Sequence, residues 1–260
     1  MTALLLRDAR VEDSPDLADI RVQDGRIETI GPALAAPQGA DVLDCAGRVV
    51  IPGLIEAHLH PDKALLDGVR PNPSGTLADA IRITAELKAG FTHAEVRARA
   101  ERVLRMCVRN GTTTLRAHPD VDPVAGLTGL EVLLELRETW APLVTVQVVA
   151  FPQEGVFKAP GTEKLLRKAL EAGADAVGGC TYSEASVEDC RRQVELVLDL
   201  AAEYGVPADL HADFADDSAD ERFALAEFIA RRTAERGLSG RVTLGHATSL
   251  GGRPPAERAA

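Results

Sequence analysis

From residue 53 onward, short apolar runs alternate with helical patterns, and this alternation limits the folds open to the chain. The runs occupy residues 53–60, 113–118, 144–151, 176–180, 208–213 and 242–246. Helical patterns at 77–89, 94–110, 129–139, 163–172, 186–204 and 219–236 fill the gaps. After a longer first gap the runs recur about every 30 residues, the length of a βα unit, so the expected fold class is α/β with a parallel sheet and flanking helices. Asn110-Gly111, Ala172-Gly173 and Tyr204-Gly205 each close a helical pattern just before a strand, as helix C-termini do. Runs apolar on both faces, such as 144–150, suit strands buried between a barrel interior and its helices.

A (β/α)8 barrel needs more strands than the six counted here, and the sequence runs out just after the sixth, in Gly251-Gly252-Arg253-Pro254-Pro255. The expectation is an incomplete TIM-type (β/α)8 barrel of six βα units over residues 53–260. Residues 1–52 read differently, as a small β unit with strands at 4–7, 19–23, 26–31, 42–44 and 48–51. Asp24-Gly25 between the second and third of these is a type I′ hairpin signal.

Composition removes several function classes. The 260 residues carry a formal charge of −11, against a nucleic-acid binder, which needs a basic surface. No apolar stretch approaches the roughly 20 residues that span a bilayer. Met1 leads into Thr2–Arg7 without a signal segment, so the expected location is cytoplasmic. Four cysteines, Cys45, Cys107, Cys180 and Cys190, do not make a disulfide framework in a chain this long, and none is in a Cys-x-x-Cys pair, which disfavours a cysteine zinc site. A homo-oligomer is left open.

The histidines carry the chemistry. His58-Leu59-His60 ends the first barrel strand. Positions i and i+2 of a strand share a face, and the C-terminal end of a barrel strand lines the active-site mouth. Two imidazoles there begin a divalent metal site, although spacing alone equally allows two unrelated polar residues. His211 and His246 close the fifth and sixth strands. His118 follows the second, at the pocket mouth, and is read equally as a substrate contact or as structural. His93 is read as a surface residue.

The run Val50-Ile51-Pro52-Gly53-Leu54-Ile55-Glu56-Ala57-His58-Leu59-His60, following a small β unit with an Asp-Gly hairpin, resembles the first metal-binding motif of the amidohydrolase superfamily. The resemblance implies one divalent ion, Fe or Zn, held by His58, His60 and His211, with His246 as the second functional histidine. Within that superfamily, Val148-Val149-Ala150-Phe151-Pro152-Gln153-Glu154-Gly155 and His60-Pro61-Asp62-Lys63 resemble the cytosine deaminase branch, which also includes triazine aminohydrolases. Leu115-Arg116-Ala117-His118-Pro119-Asp120-Val121-Asp122 and Gly178-Gly179-Cys180 also resemble segments of that branch. The implied chemistry is hydrolytic deamination of a small heterocycle. Gln153 would contact the ring edge, its amide able both to donate and to accept, and Lys63 would help to position the ring.

Two departures qualify this. The branch continues its fifth-strand motif as His-x-Asp-Glu, the Glu moving a proton to the ring, whereas here the run is His211-Ala212-Asp213-Phe214. Asp213, Asp216 or Asp217 would have to substitute. The branch's metal-binding Asp after strand eight has no counterpart in this sequence. Two alternatives therefore stand beside the deaminase reading: hydrolysis of a cyclic amide, and a non-catalytic chain that is truncated or completed by a partner.

Overall fold

The computed structural model describes residues 3–11, 14–214 and 220–252. The chain divides into two compact units, Met1–Gly53 and Leu54–Ala260. In the first, Asp24 and Gly25 have φ of 51° and 77°, the doubly left-handed pair of a type I′ turn. They join β2 (Ala18–Gln23) to β3 (Arg26–Gly31). β1 spans Ala3–Val11, longer than the expected 4–7, because it serves two partners in succession. Its first half pairs in parallel with β4 (Asp41–Asp44), and its second half with β5 (Val49–Val50). Ala9, Ile20 and Cys45 form the small buried centre of this unit.

The second unit holds the expected α/β alternation. Its strands are β6 (Leu54–Leu59), β7 (Thr112–Ala117), β8 (Thr145–Ala150), β9 (Ala176–Cys180), β10 (Ala208–Ala212) and β11 (Val242–His246). They lie in sequence order in one six-stranded sheet, and every neighbouring pair is parallel. The helices are α1 (Leu77–Lys88), α2 (His93–Arg109), α3 (Thr128–Trp140), α4 (Thr162–Glu171), α5 (Val187–Tyr204) and α6 (Ala226–Glu235). Three begin on side-chain caps: Thr76 accepts from Asp79 N, Thr92 from Glu95 N and Ser186 from Asp189 N. Each satisfies an amide that the helix start leaves orphaned.

The sheet curls, as a barrel wall does. His58 on β6 and His211 on β10 stack with ring centroids 4.1 Å apart. Four strand spacings of about 4.8 Å would hold them ~19 Å apart in a flat sheet. Likewise Arg116 on β7 reaches Asp209 on β10 at 2.6 Å and Thr243 on β11 at 3.1 Å. Outside the sheet, Leu104, Leu133, Leu166 and Val194 of the helices pack with Leu115, Val146, Val177 and Leu210 in one apolar core. β9 and β10 are buried at every position. Gly179 is needed there, since a Cβ would stand 2.5 Å from the Leu210 side chain. Among the described residues, the outer edges of β6 and β11 have no strand partner. Leu54 and Ile55 on β6 are exposed.

The last helix differs from expectation. The pattern at 219–236 predicts an earlier start, but α6 begins at Ala226. Both oxygens of the Asp213 carboxylate accept amides there, Oδ1 from Leu225 N at 2.7 Å and Oδ2 from Ala226 N at 2.8 Å. A single 3-10 turn, Glu221–Phe223, precedes it. Residues 215–219, with the candidates Asp216 and Asp217, lie outside the described residues, as does 253–260. No helix among the described residues is long and apolar enough to cross a membrane.

Candidate functional site

The strand ends bring the predicted histidines together. His60 Nδ1 lies 2.8 Å from the His118 carbonyl oxygen. A carbonyl only accepts, so His60 carries its proton on Nδ1 and presents a lone pair on Nε2. That Nε2 lies 3.2 Å from His58 Nε2. His211 Nε2 is buried and has no hydrogen-bond partner among the described residues. The three residues place ligand atoms within 4.8 Å of one another.

Burial holds these imidazoles neutral. It pushes His58 down to about 4, with help from His118 and His246. It also holds His60 and His211 well below the ordinary histidine range, the neighbouring cationic groups adding to the effect. Neutral imidazoles are the metal-binding form. The donor set therefore fits a divalent ion of borderline softness, such as Zn or Fe. A second trio, His118, Asp209 and His211, is equally compact. There the Arg116 guanidinium already sits on Asp209, a cation where another cation would have to bind. The first trio is the better site.

A cavity of about 380 Å³ opens beside His58 and His60, lined also by Lys63, Gln153 and Glu154 and walled by Ala64, Ala80, Ile81 and Thr84. Lys63 Nζ donates to Asp120 Oδ1 at 2.5 Å and to Gln153 Oε1 at 2.7 Å. His118 is fully buried, with neither ring nitrogen hydrogen-bonded among the described residues. It lies behind His58 and His60 rather than at the mouth, packed on both rings and on Phe151. His246 is exposed at the end of β11 with φ 70°, and its ring lies 4.9 Å from those of His58 and His211. Phe214 stacks on His246 at 4.4 Å and 27°, and Tyr182 packs against Phe214 at 4.8 Å. Where the resemblance leads one to expect a proton-carrying Glu, an aromatic ring covers the histidine. His93 pairs with Glu135 at the surface.

Sequence comparison decides the family. The profile of the amidohydrolase family matches residues 65–260. The chain belongs to the amidohydrolase family. It is 32% identical to N-isopropylammelide isopropyl amidohydrolase of Pseudomonas sp. (strain ADP), over 96% of this chain and 62% of that protein. The structure of 5-methylcytosine deaminase from Klebsiella pneumoniae liganded with 5-fluorocytosine is similar at TM-score 0.89 and 33% identity, over 98% of this chain and 61% of that one. N-isopropylammelide isopropylaminohydrolase from Burkholderia multivorans is similar at TM-score 0.87 and 37% identity, over 99% and 64%. The chain thus spans about three fifths of the length of these amidohydrolases.

Two buried groups of this chain escaped the sequence reading. Lys88, the last residue of α1, is 1% exposed. Its ammonium meets Asp120 Oδ2 at 2.6 Å, Asp122 Oδ2 at 2.8 Å and Glu154 Oε1 at 2.8 Å. Burial alone would lower its pKa, but Asp120 and Asp122 outweigh that and raise it above the ordinary lysine value. Asp120 is also disfavoured by burial, and Lys63 and Lys88 still hold it below the usual carboxylate range. Asp120 and Asp122, two apart after a strand, were the available signal: paired buried carboxylates require a cation. Glu184 is the other, also buried. It accepts from the amides of Val156, Phe157 and Lys158 and from Gln193 Nε2. It pins the loop that follows Gln153.

Proposed function

We propose that this chain carries the binding and reaction site of a hydrolase that cleaves a C–N bond on a small nitrogen heterocycle. The observation that carries the reading is the convergence of neutral His58, His60 and His211 at the wall of a cavity whose other side holds Lys63 and Gln153. The cavity's volume of about 380 Å³ suits a single substituted ring, at the small end of ligand sites. When a divalent ion, Zn or Fe, is held by the three histidines, it supplies a water nucleophile near neutral pH and polarises the attacked carbon.

The residues of the chain divide the remaining work. Lys63 and Gln153 orient the ring by hydrogen bonds. His246, at the exposed end of β11, takes the proton that water gives up as its oxygen bonds to the ring carbon, and returns one to the amine as the C–N bond breaks. Asp213 is committed to the start of α6 through both carboxylate oxygens, so its role is to hold that segment. His118 supports the metal-binding face from behind.

Phe214 favours a second reading, hydrolysis of a cyclic amide. It carries no proton, and it stacks on the histidine that must act alone. Amine release from N-alkylamino- and amino-substituted pyrimidines and triazines, measured beside ring opening of cyclic amides on the zinc-supplemented chain, tests both. Amine release is expected. Ring opening without amine release would establish the second reading, and neither activity would contradict both.

A further inference from the structure

We infer that Ser249 is a positioning residue for His246: it ties down a strained turn after β11 and so aims the imidazole at His58 and His211. Resting on the heterocycle reading above, this deepens it by naming what holds the proton-moving histidine in place. None of the ring hydrogen bonds among the described residues is made by His246. Its ring is placed by stacking on Phe214 and by the direction of its own backbone. That backbone is unusual. Three non-glycine residues in the left-handed region meet here, Asp213 at φ 53°, His246 at 70° and Ala247 at 52°. L side chains disfavour this conformation, which persists only where surrounding contacts over-determine it.

Those contacts converge on Ser249, which is 2% exposed. Ala247 N donates to the Ala212 oxygen at 3.2 Å, and Ser249 N to the Asp213 backbone oxygen at 3.0 Å. Thr248 Oγ1 reaches that same oxygen at 3.5 Å. Ser249 Oγ donates to the Phe223 backbone oxygen at 2.6 Å. Through its amide, Ser249 therefore joins the turn after β11 to the left-handed residue after β10. Through its hydroxyl it holds Phe223, which stacks on Tyr182 at 5.4 Å and 22°. Tyr182 packs on Phe214 at 4.8 Å, and Phe214 on His246. One buried serine thus restrains His246 from two directions, along the backbone and through three stacked aromatic rings. Alanine at 249 keeps the amide bond but leaves the Phe223 carbonyl without the hydroxyl, so the aromatic side of the restraint loosens.

Histidine-labelled, zinc-supplemented chain, read by NMR of the imidazole carbons, tests this without needing turnover. The His246 signal, identified by its loss in His246→Gln, is expected to be single and sharp in the unaltered chain. In Ser249→Ala it is expected to broaden or split, with the signals of His58, His60 and His211 unchanged. In the same variant kcat for amine release is expected to fall about 10–100-fold, with KM within about twofold of the unaltered value. Ala247→Gly relieves the strain without removing a hydrogen bond. Glycine adopts φ 52° freely, so the urea midpoint is expected to hold or rise while the His246 signal still broadens. A sharp His246 signal in either folded variant would overturn the inference, as would equal broadening of all four histidines. Absence of amine release and of ring opening in the unaltered chain would overturn the heterocycle reading instead, the ring signal still deciding whether Ser249 positions His246. Should Ser249→Ala not fold, Ala247→Gly decides alone.

Discussion

Replacing Lys88 by methionine is expected to cost about 3–5 kcal/mol of folding stability, the usual penalty for breaking a buried ion cluster from one side. Methionine fills much the same space as the lysine stem, so the loss is electrostatic rather than a cavity. It leaves Asp120 and Asp122 fully buried with a single remaining ammonium, that of Lys63, on Asp120 alone. Equilibrium urea unfolding measures the change. A second substitution, Asp122→Asn, removes one of the stranded charges and is expected to recover part of the loss in the double variant. A change below about 1 kcal/mol for Lys88→Met would mean that the cluster is open to water and that Lys63 is not held as described.

The second large effect concerns the aromatic ring beside His246. Phe214→Glu restores a proton carrier at the position following His211-Ala212-Asp213. If ring protonation limits amine release, the rate is expected to rise by about 10²–10⁴, the usual range for a positioned general acid or base. Steady-state amine release from an aminopyrimidine, compared between Phe214→Glu and the unaltered chain, reads it. An unchanged rate would mean that ring protonation does not limit amine release, or that the natural reaction needs none, as with a cyclic amide.

How much of this was legible in the sequence depends on where the determining contact lies. The parallel strands were visible because their determinants are local. β9 and β11 match the apolar runs at 176–180 and 242–246 at both ends. The Asp24-Gly25 turn is equally local and adopts the backbone expected of it. The grouping of His58, His60 and His211 was implied by the family resemblance; strand-end position alone left His58 and His60 equally open to a structural reading. What could not be read was set by long-range contacts. α6 starts late because Asp213, 12 residues before Leu225, caps it. Lys88 looks like an ordinary helix-end lysine, favourable at the C-terminal dipole, until Asp122 and Glu154 are found 34 and 66 residues away. The polarity of Gln153 is likewise invisible without Lys63, 90 residues earlier. His118 sits at a strand end like its neighbours, but its ring turns into the packed interior.

The measurement that tests the central claim most directly is metal content per chain on purified, size-fractionated protein. The account predicts about one Zn or Fe per chain, lost on His58→Ala and on His211→Ala. No bound metal, or metal retained undiminished in both variants, would contradict it.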